Sequence, residues 1–160
     1  MKLIVAFLML GIIALPGVTN PLVGSWKVFS WTDTPEKGMP YFPFGDKPRG
    51  HFVFTADGHL SVQVAADPNG TIPAALPHKG FDDLVLDGTT TPYIGYFGTY
   101  KADFNAGTLS VDLEGSSAPV YIRSDISRMI RFDGSRLIIS GQARRPDGKV
   151  WIWERILVRE

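Results

Sequence analysis

Residues 51–64 of the chain read HFVFTADGHLSVQV, two short segments joined by Asp57-Gly58. Both segments alternate apolar and polar residues, which is the period of a β-strand with one buried face. An Asp-Gly pair supplies the positive φ angles that a two-residue hairpin turn requires. The stretch therefore predicts an antiparallel β-hairpin.

The same kind of turn signal recurs at Asn105-Ala106-Gly107, Asp133-Gly134 and Asp147-Gly148. We predict strands over residues 22–31, 51–55, 59–64, 93–102, 108–113, 127–132, 137–142 and 150–158. Eight strands joined mostly by hairpins predict an all-β fold, an eight-stranded antiparallel up-and-down barrel whose interior can hold one small ligand. A β-sandwich is the alternative, because strands alternate in the same way in both architectures.

The composition limits the classes of protein to consider. The 160 residues are 44% hydrophobic and carry 16 basic and 16 acidic side chains, as in an ordinary single globular domain. Zero net charge gives no long-range attraction to phosphates, so we predict no nucleic-acid partner. The chain has no cysteine, which excludes disulfides, thiolate metal sites and cysteine nucleophiles.

The N-terminal segment differs from the rest. Lys2 precedes an apolar run over residues 3–15, and Pro16-Gly17 ends that run. This pattern predicts a secretory signal peptide over residues 1–19, followed by one domain over residues 20–160. The protein would then be secreted or periplasmic, with no membrane insertion after cleavage. An uncleaved membrane anchor or a hydrophobic N-terminal strand is the alternative.

Two long connections interrupt the predicted meander, over residues 32–50 and 65–92. The first carries Met39, Tyr41, Phe42 and Phe44, and the second carries several large apolar residues. Long loops in compact domains are often lids or binding loops. We expect these segments either to cap a cavity mouth or to cover sheet edges.

Several separated motifs of the chain recur together in one known family. They are Gly24-Ser25-Trp26, Pro48-Arg49-Gly50, the segment FTADGHLSVQ over residues 54–63, YIGYFGTY over residues 93–100, and Glu114-Gly115-Ser116. With these motifs the chain resembles the bacterial and fungal lipocalin-like domain family over nearly its whole length after residue 19. The resemblance implies a calycin-type eight-stranded barrel with an internal cavity.

The resemblance also implies a structural plug at one end of the barrel. In calycin barrels a tryptophan of the first strand closes one end, and an arginine of the last strand packs over its ring. Trp26 would be this plug, with Arg155 as the cation on its face and Arg159 as the second choice. The Thr-Asp-Tyr motif of the lipocalins proper is missing, so their ligands are not carried over.

Aromatic residues on two predicted strands are candidates for a cavity wall. Alternation alone cannot decide which face of the 93–102 strand looks inward, because both faces are aromatic. If Arg155 faces the interior, then Trp151 and Trp153 face it too. The wall candidates for ligand binding are Tyr93, Tyr96, Phe97, Tyr100, Trp151 and Trp153. Such a wall suits a flat or polycyclic apolar ligand, although the same rings could simply fill a small barrel.

Polar residues on the strands are candidates for catalysis or for anchoring a ligand. We consider Gln63, Glu114 and Arg128 as the catalytic candidates, with Asp112 and Arg131 on the same strands. An inward carboxylate near an inward arginine could form an acid–base pair, whereas an outward side chain would only be solvated. His51, His59 and His78 form no convincing metal site, so we predict no metal.

No sequence motif of a nucleotide-dependent or metal-dependent enzyme is present, and we predict no cofactor. Two functions remain open. The first is a secreted carrier that binds a small hydrophobic molecule, as a monomer or homodimer. The second is a cofactor-independent isomerase or cyclase, of the pericyclase or dehydratase type, acting on a natural-product intermediate of secondary metabolism. In such an enzyme a shaped cavity would fold the substrate and a few donors would stabilise developing charge.

Overall fold

The computed structural model describes residues 20–69, 93–117, 128–144 and 148–160. Within these residues the chain forms eight β-strands in sequence order. The strands are β1 (Gly24–Pro35), β2 (Arg49–Phe54), β3 (His59–Ala65), β4 (Tyr93–Asp103), β5 (Thr108–Ser116), β6 (Arg128–Asp133), β7 (Arg136–Arg144) and β8 (Val150–Arg159). All eight predicted strands are present, and β1 continues beyond its predicted end.

Each strand pairs antiparallel with the next, and β8 returns to pair with β1. The sheet is therefore a closed up-and-down barrel, in which each of the eight described strands pairs with a neighbour on both sides. This confirms the predicted barrel and excludes the sandwich. The turn glycines have the positive φ angles that the turn signals predict, at Gly58 (89°), Gly107 (65°), Gly134 (57°) and Gly148 (80°). Asp147 lies outside the described residues.

The strand register defines two ends of the barrel. Near one end Trp26 on β1 pairs with Phe52 on β2 and Arg159 on β8. At the opposite end Pro35 on β1 pairs with Trp151 on β8. We refer to them as the Trp26 end and the Trp151 end.

A β-bulge in β1 changes which of its residues face the barrel interior. The register against β8 shifts between Val28 and Ser30, so Phe29 is the extra residue. Phe29 is 54% exposed, whereas Val28 before the bulge and Trp31 after it are buried. One inserted residue reverses the alternation of the strand. The bulge therefore turns both Trp31 and Asp33 towards the interior.

The hydrophobic core fills the barrel most tightly towards the Trp26 end. Leu22, which precedes β1, is fully buried there, and Phe54 and Leu157 are at most 1% exposed. Inward-facing aliphatic side chains of β3, β5 and β7 complete this core, including Leu60, Val62, Leu109, Leu137 and Ile139. The burial of this continuous apolar surface is the main stabilising contribution to the fold.

The connection between β1 and β2 packs onto the barrel. Phe44 is 1% exposed, and its ring meets Trp31 edge-on with 5.1 Å between centroids. The backbone of Tyr41 bonds to that of Asp33 in both directions. Met39, by contrast, is 84% exposed. The first long connection is thus anchored through Phe44 near β1, as a covering segment requires, and most of the second lies outside the described residues.

Within the described segments, no helix has both the length and the apolar character needed to cross a membrane. The predicted signal peptide over residues 1–19 lies outside those segments.

Candidate functional site

Trp26 closes its end of the barrel. The indole is 2% exposed, and its Nε1 donates a hydrogen bond of 2.7 Å to the carbonyl of Leu22. The guanidinium of Arg159 lies over the indole ring, 4.2 Å from its centroid. Arg159 also donates to the carbonyls of Val23 and Pro21, which holds the segment before β1 across this end. These contacts make Trp26 and Arg159 a structural plug.

The arginine on Trp26 is therefore the second choice of the sequence prediction, and the prediction of Arg155 for this contact is wrong. The register explains the difference, because Trp26 lies directly opposite Arg159. Arg155 lies opposite Trp31 instead. The bulge in β1 brings Trp31 to the interior face, where Arg155 meets it.

Arg155 is a buried cation held by several partners inside the barrel. Its guanidinium lies 3.8 Å from the centroid of Trp31, and its Nη2 lies 2.8 Å from Asp33 Oδ1. It also donates to the carbonyls of Thr32 (2.5 Å) and Glu154 (3.0 Å). A buried guanidinium requires this kind of compensation, since an unpaired charge in an apolar interior is costly. Arg155 is thus fixed in place as part of the interior wall.

The structure decides which face of β4 looks inward. Ile94 and Tyr100 are 1% and 6% exposed, and Tyr96 packs against the core. Tyr100 lies towards the Trp26 end, where its hydroxyl donates to the carbonyl of Thr55 (2.9 Å) and accepts from Asn20 Nδ2 (3.0 Å). Of the two predicted tyrosines on this face, Tyr100 therefore serves the closed end and Tyr96 remains a wall candidate.

Tyr93 and Phe97 lie on the outer face of β4, so the prediction that they line the cavity is wrong. They are 48% and 54% exposed. The Phe97 ring covers Gly115 on β5, where an added Cβ would lie 2.5 Å from the ring, and the Tyr93 hydroxyl covers Gly95 in the same way at 2.6 Å. Aromatic rings commonly cover glycines on sheet surfaces. A glycine has no side chain to shield its own backbone, so a neighbouring ring can lie directly over it.

Trp151 and Trp153 lie on the interior face of β8, together with Arg155. Trp151 is 8% exposed and Trp153 is partly buried against the core. Trp153 lies directly opposite Gly141 on β7, and an added Cβ at Gly141 would be 2.3 Å from the indole. The glycine therefore provides the space in which this ring lies flat against the wall.

Of the three polar candidates, only Arg128 faces the interior. It is 9% exposed at the start of β6. The next residue, Met129, is exposed and the one after it, Ile130, is buried, so Arg128 shares the inward face with Ile130. Gln63 and Glu114 are exposed on the outer sides of β3 and β5, so their prediction as catalytic groups in the cavity is wrong. The outward side chains of Asp112 and Arg131 are likewise exposed.

Tyr96 lies within the electrostatic reach of both interior arginines. Burial raises the pKa of its phenol above the usual value, and the charges of Arg128 and Arg155 oppose part of that rise. The phenol is consequently protonated at neutral pH and can donate a hydrogen bond. Its ring also meets Phe52 edge-on, with 6.4 Å between centroids. Tyr96, Arg128 and Arg155 thus bring polar and charged groups to a largely apolar inner wall.

Part of the inner wall is incompletely buried. Several inward-facing side chains there are only partly buried, among them Tyr96, Val111, Leu113 and Trp153. The inward side chains of β2 and β3 are almost completely buried by comparison. The partly buried side chains belong to β4, β5 and β8. We take this part of the inner wall as the candidate binding site.

The histidines within the described residues form surface pairs. His51 Nδ1 lies 3.0 Å from Glu160 Oε2, and His59 Nδ1 lies 3.2 Å from Asp57 Oδ1. No group of three or more His, Cys, Asp or Glu side chains within these residues is arranged to hold a metal ion. His78 lies outside the described residues.

Sequence reasoning missed Trp31 and Asp33 as interior residues. Both belong to the half of β1 beyond the bulge, and Asp33 falls within the connection predicted over residues 32–50. A bulge moves every following side chain to the other face, and no residue of this stretch marks its position. The single available signal was Trp31 itself, a large apolar residue that requires burial.

A closed eight-stranded up-and-down barrel with one plugged end has the architecture of the ligand-binding calycins. The chain belongs to the lipocalin-like domain family, whose profile matches residues 23–156. Among solved structures the chain is similar to a deswapped triple mutant of bovine odorant-binding protein, at 16% identity and a TM-score of 0.43. That match covers 87% of this chain and 74% of the other. A comparison with curated protein sequences found no significant match.

Proposed function

We propose that the protein is a secreted binding protein that carries a small hydrophobic molecule with an aromatic or polycyclic ring system. The observation that carries the proposal is the partial exposure of inward-facing Tyr96, Val111, Leu113 and Trp153. Apolar side chains that border an internal space gain free energy when a ligand replaces the water there.

The chemistry of the wall supports a flat ligand. Trp153 lies against Gly141, so that its indole presents a broad apolar surface along the wall. Burying one aromatic ring removes about 200 Å² from water, which is worth about 5 kcal/mol before the cost of association. The free-energy cost of association is of similar size to the gain from one ring. Tight binding therefore requires a ligand with more than one ring.

The test is a fluorescence titration with the neutral probe N-phenyl-1-naphthylamine, comparing two substitutions on β5. Val111→Trp places an indole on the interior face, whereas Ser110→Trp places the same group on the exposed outer face. We expect Val111→Trp to weaken probe binding by about tenfold or more and Ser110→Trp to leave it unchanged. Thermal unfolding of both variants checks that the barrel remains folded.

Absence of saturable probe binding to the unsubstituted protein would contradict the proposal. Equal weakening by both tryptophans would contradict the location of the site.

Secretion is part of the proposal and rests on the apolar run over residues 3–15 before Pro16-Gly17. In the producing organism we expect the protein in the extracellular or periplasmic fraction, with an N-terminus at residue 20. Mass measurement of the protein from each cell fraction tests this directly. An intact N-terminus retained in the membrane fraction would favour the uncleaved anchor instead.

A second candidate function is a cofactor-independent isomerase or cyclase of secondary metabolism. The specific observation that favours it is the Tyr96 phenol, which burial keeps protonated beside the charges of Arg128 and Arg155. A positioned donor and nearby cations can stabilise an oxyanion that develops in a substrate during rearrangement or loss of water. Arg128 and Tyr96 would then act on the reacting atoms, while Arg155 holds the wall.

Native mass spectrometry of protein purified from its producing organism distinguishes the two functions. A carrier releases one molecule in stoichiometric amount, and that molecule stays unchanged on incubation. An enzyme yields a substrate and product pair, and Tyr96→Phe should slow the conversion while preserving binding.

A further inference from the structure

We propose that the protein forms a homodimer through the outer face of β7, β8 and β1, with the β8 strands of the two copies antiparallel across the interface. We call this surface the Ile156 face, and its apolar members are Phe29, Ile138, Ile156 and Val158. The inference goes beyond the proposed binding function and does not depend on it.

The first argument is the apolar character of this outer face. Ile156 and Val158 alternate along β8 with the inward-facing Arg155 and Leu157, so both point away from the barrel interior. Ile138 on β7 lies directly opposite Ile156. The outward positions of an antiparallel sheet are usually polar, whereas these three neighbouring positions are aliphatic. Adjacent apolar residues on an outer surface are typical of a site that contacts another protein.

The second argument is the β-bulge in β1, which adds Phe29 to this face. Phe29 is 54% exposed, and the guanidinium of Arg136 lies over its ring, 4.8 Å from the centroid. Since β8 lies between β1 and β7, the ring and the guanidinium meet above the outer face of β8. Aromatic rings and guanidinium groups are enriched in protein–protein interfaces, particularly near their centres.

The third argument is the arrangement of charge on the two sides of Ile156. Two residues along β8 in one direction is Val158, which lies between Lys27 on β1 and Arg136 on β7 in the strand register. Two residues in the other direction is Glu154. Within the part of the chain that the structure describes, no ion pair involves any of these three charged side chains. The face therefore carries positive charge on one side of Ile156 and negative charge on the other.

A two-fold axis that crosses the strands at the level of Ile156 makes these charges complementary. It turns the two β8 strands antiparallel, so that each position on one side of Ile156 faces the corresponding position on the other side. Glu154 of each copy then lies over Val158 of the other copy, between that copy's Lys27 and Arg136. Parallel β8 strands would instead place Lys27 opposite Arg136, which is repulsive. The charges therefore select the antiparallel arrangement.

A second copy fits this face better than a partner with a single sign of charge. Self-association needs both signs on one surface, whereas a uniformly negative partner would be repelled by Glu154 and a uniformly positive one by Lys27 and Arg136. The chain carries 16 basic and 16 acidic side chains, so two copies meet no long-range repulsion.

Sedimentation equilibrium of the full chain measures the association. We expect a species of twice the chain mass to form as the protein concentration rises, with no larger assembly, because a two-fold contact is closed at two copies. Glu154→Lys puts a lysine beside Lys27 and Arg136 of the other copy, and it should weaken dimerisation by at least about tenfold. Asp112→Lys is the matched control, because it reverses an exposed carboxylate on the outer face of β5. Thermal unfolding checks that each variant remains folded.

A mixing experiment tests the antiparallel arrangement itself. Arg136→Glu alone should also weaken dimerisation, because Glu154 of each copy then meets the introduced glutamate of the other. In a mixture of the Glu154→Lys and Arg136→Glu variants, one contact pairs the introduced lysine with the introduced glutamate, and the other retains Glu154 with Arg136. We therefore expect the mixture to dimerise more tightly than either variant alone.

Every outcome decides for or against the proposed dimer. A monomer at all concentrations overturns it, and so does a dimer that withstands Glu154→Lys. Equal weakening by Glu154→Lys and Asp112→Lys also overturns it, because the position of the charge would then not matter. If the mixture dimerises no more tightly than the two variants alone, the antiparallel contact is wrong. Probe binding inside the barrel tests the binding function separately.

Discussion

Asp33 supplies the counter-charge of Arg155 inside the barrel, so its removal should destabilise the fold strongly. The two side chains are 13% and 10% exposed, with 2.8 Å between Asp33 Oδ1 and Arg155 Nη2. Breaking a buried ion pair by removing one partner costs about 3–5 kcal/mol. In Asp33→Ala, Arg155 keeps its hydrogen bonds to the carbonyls of Thr32 and Glu154. We therefore expect a loss of unfolding free energy at the lower end of this range, about 3 kcal/mol.

Urea unfolding followed by tryptophan fluorescence measures this loss, provided that the m-value is unchanged. The same loss corresponds to a fall in melting temperature of about 6–12 °C, at about 2–4 °C per kcal/mol for a chain of this size. Asp112→Ala is the matched control, because it removes an exposed carboxylate from the outer face of β5. We expect the control to change the unfolding free energy by less than about 0.5 kcal/mol.

A double-substitution cycle separates the ion pair from other effects of the Asp33 side chain. Arg155→Met alone leaves a buried carboxylate without its partner, whereas Asp33→Ala with Arg155→Met removes both charges. We expect the double variant to lose at least about 1 kcal/mol less than the sum of the single losses. Additivity of the two substitutions, or equal losses for Asp33→Ala and Asp112→Ala, would refute the reasoning.

Three further predictions concern the plug, the wall and the C-terminus. Arg159→Met should lower the unfolding free energy by about 1–2 kcal/mol, because it removes the cation over Trp26 and two hydrogen bonds to the preceding segment. Gly141→Ala should displace the Trp153 indole and cost about 1–3 kcal/mol, with a changed near-ultraviolet circular dichroism spectrum. Glu160→Gln should make the melting temperature less dependent on pH below about 4.5, because the hydrogen bond from Ser25 lowers the pKa of the Glu160 carboxyl.

The sign of the last prediction follows from the direction of the pKa shift. A carboxyl whose pKa is lower in the folded state stabilises the fold above its unfolded pKa, and this contribution is lost as pH falls through the folded pKa. Ser25→Ala should weaken the dependence in the same direction. A Glu160→Gln profile identical to that of the unsubstituted protein would contradict the role of this hydrogen bond.

Controls for the other two predictions come from neighbouring exposed or polar positions. Arg131→Met removes an exposed guanidinium and should change stability by less than about 0.5 kcal/mol. Ser140→Ala changes the residue beside Gly141 without adding a side chain against the indole. If Arg131→Met destabilises as much as Arg159→Met, the cation over Trp26 has no special role.

The strands and turns could be predicted because their signals are local. Alternation over residues 51–55 and 59–64 fixes a period of two, and Asp57-Gly58 provides the turn between them. Each hairpin along the chain follows from such adjacent residues. The connectivity of successive hairpins then leads to an up-and-down sheet, and eight strands suffice for its closure.

The inward face of β4 could not be predicted because both of its faces are aromatic. Tertiary pairing resolves it: Phe97 lies opposite Gly115 and covers it on the outside, whereas Tyr96 lies among core side chains. A glycine that an aromatic ring covers is recognised only once the register across strands is known. The same holds for Trp153 and Gly141 on the inner wall.

The sequence by itself predicted the eight strands and the turns between them, and its resemblance to the lipocalin-like domain family implied a barrel with Trp26 at one end. Only the tertiary structure decided that Arg159 packs on Trp26, that Arg155 pairs with Asp33, and which polar residues reach the interior. The physical reason is that contacts between side chains depend on the register of each strand against its neighbours. In β1 the single extra residue Phe29 also exchanges the faces of everything after it. Partners across strands depend on that displacement, and the local pattern of apolar residues does not record it.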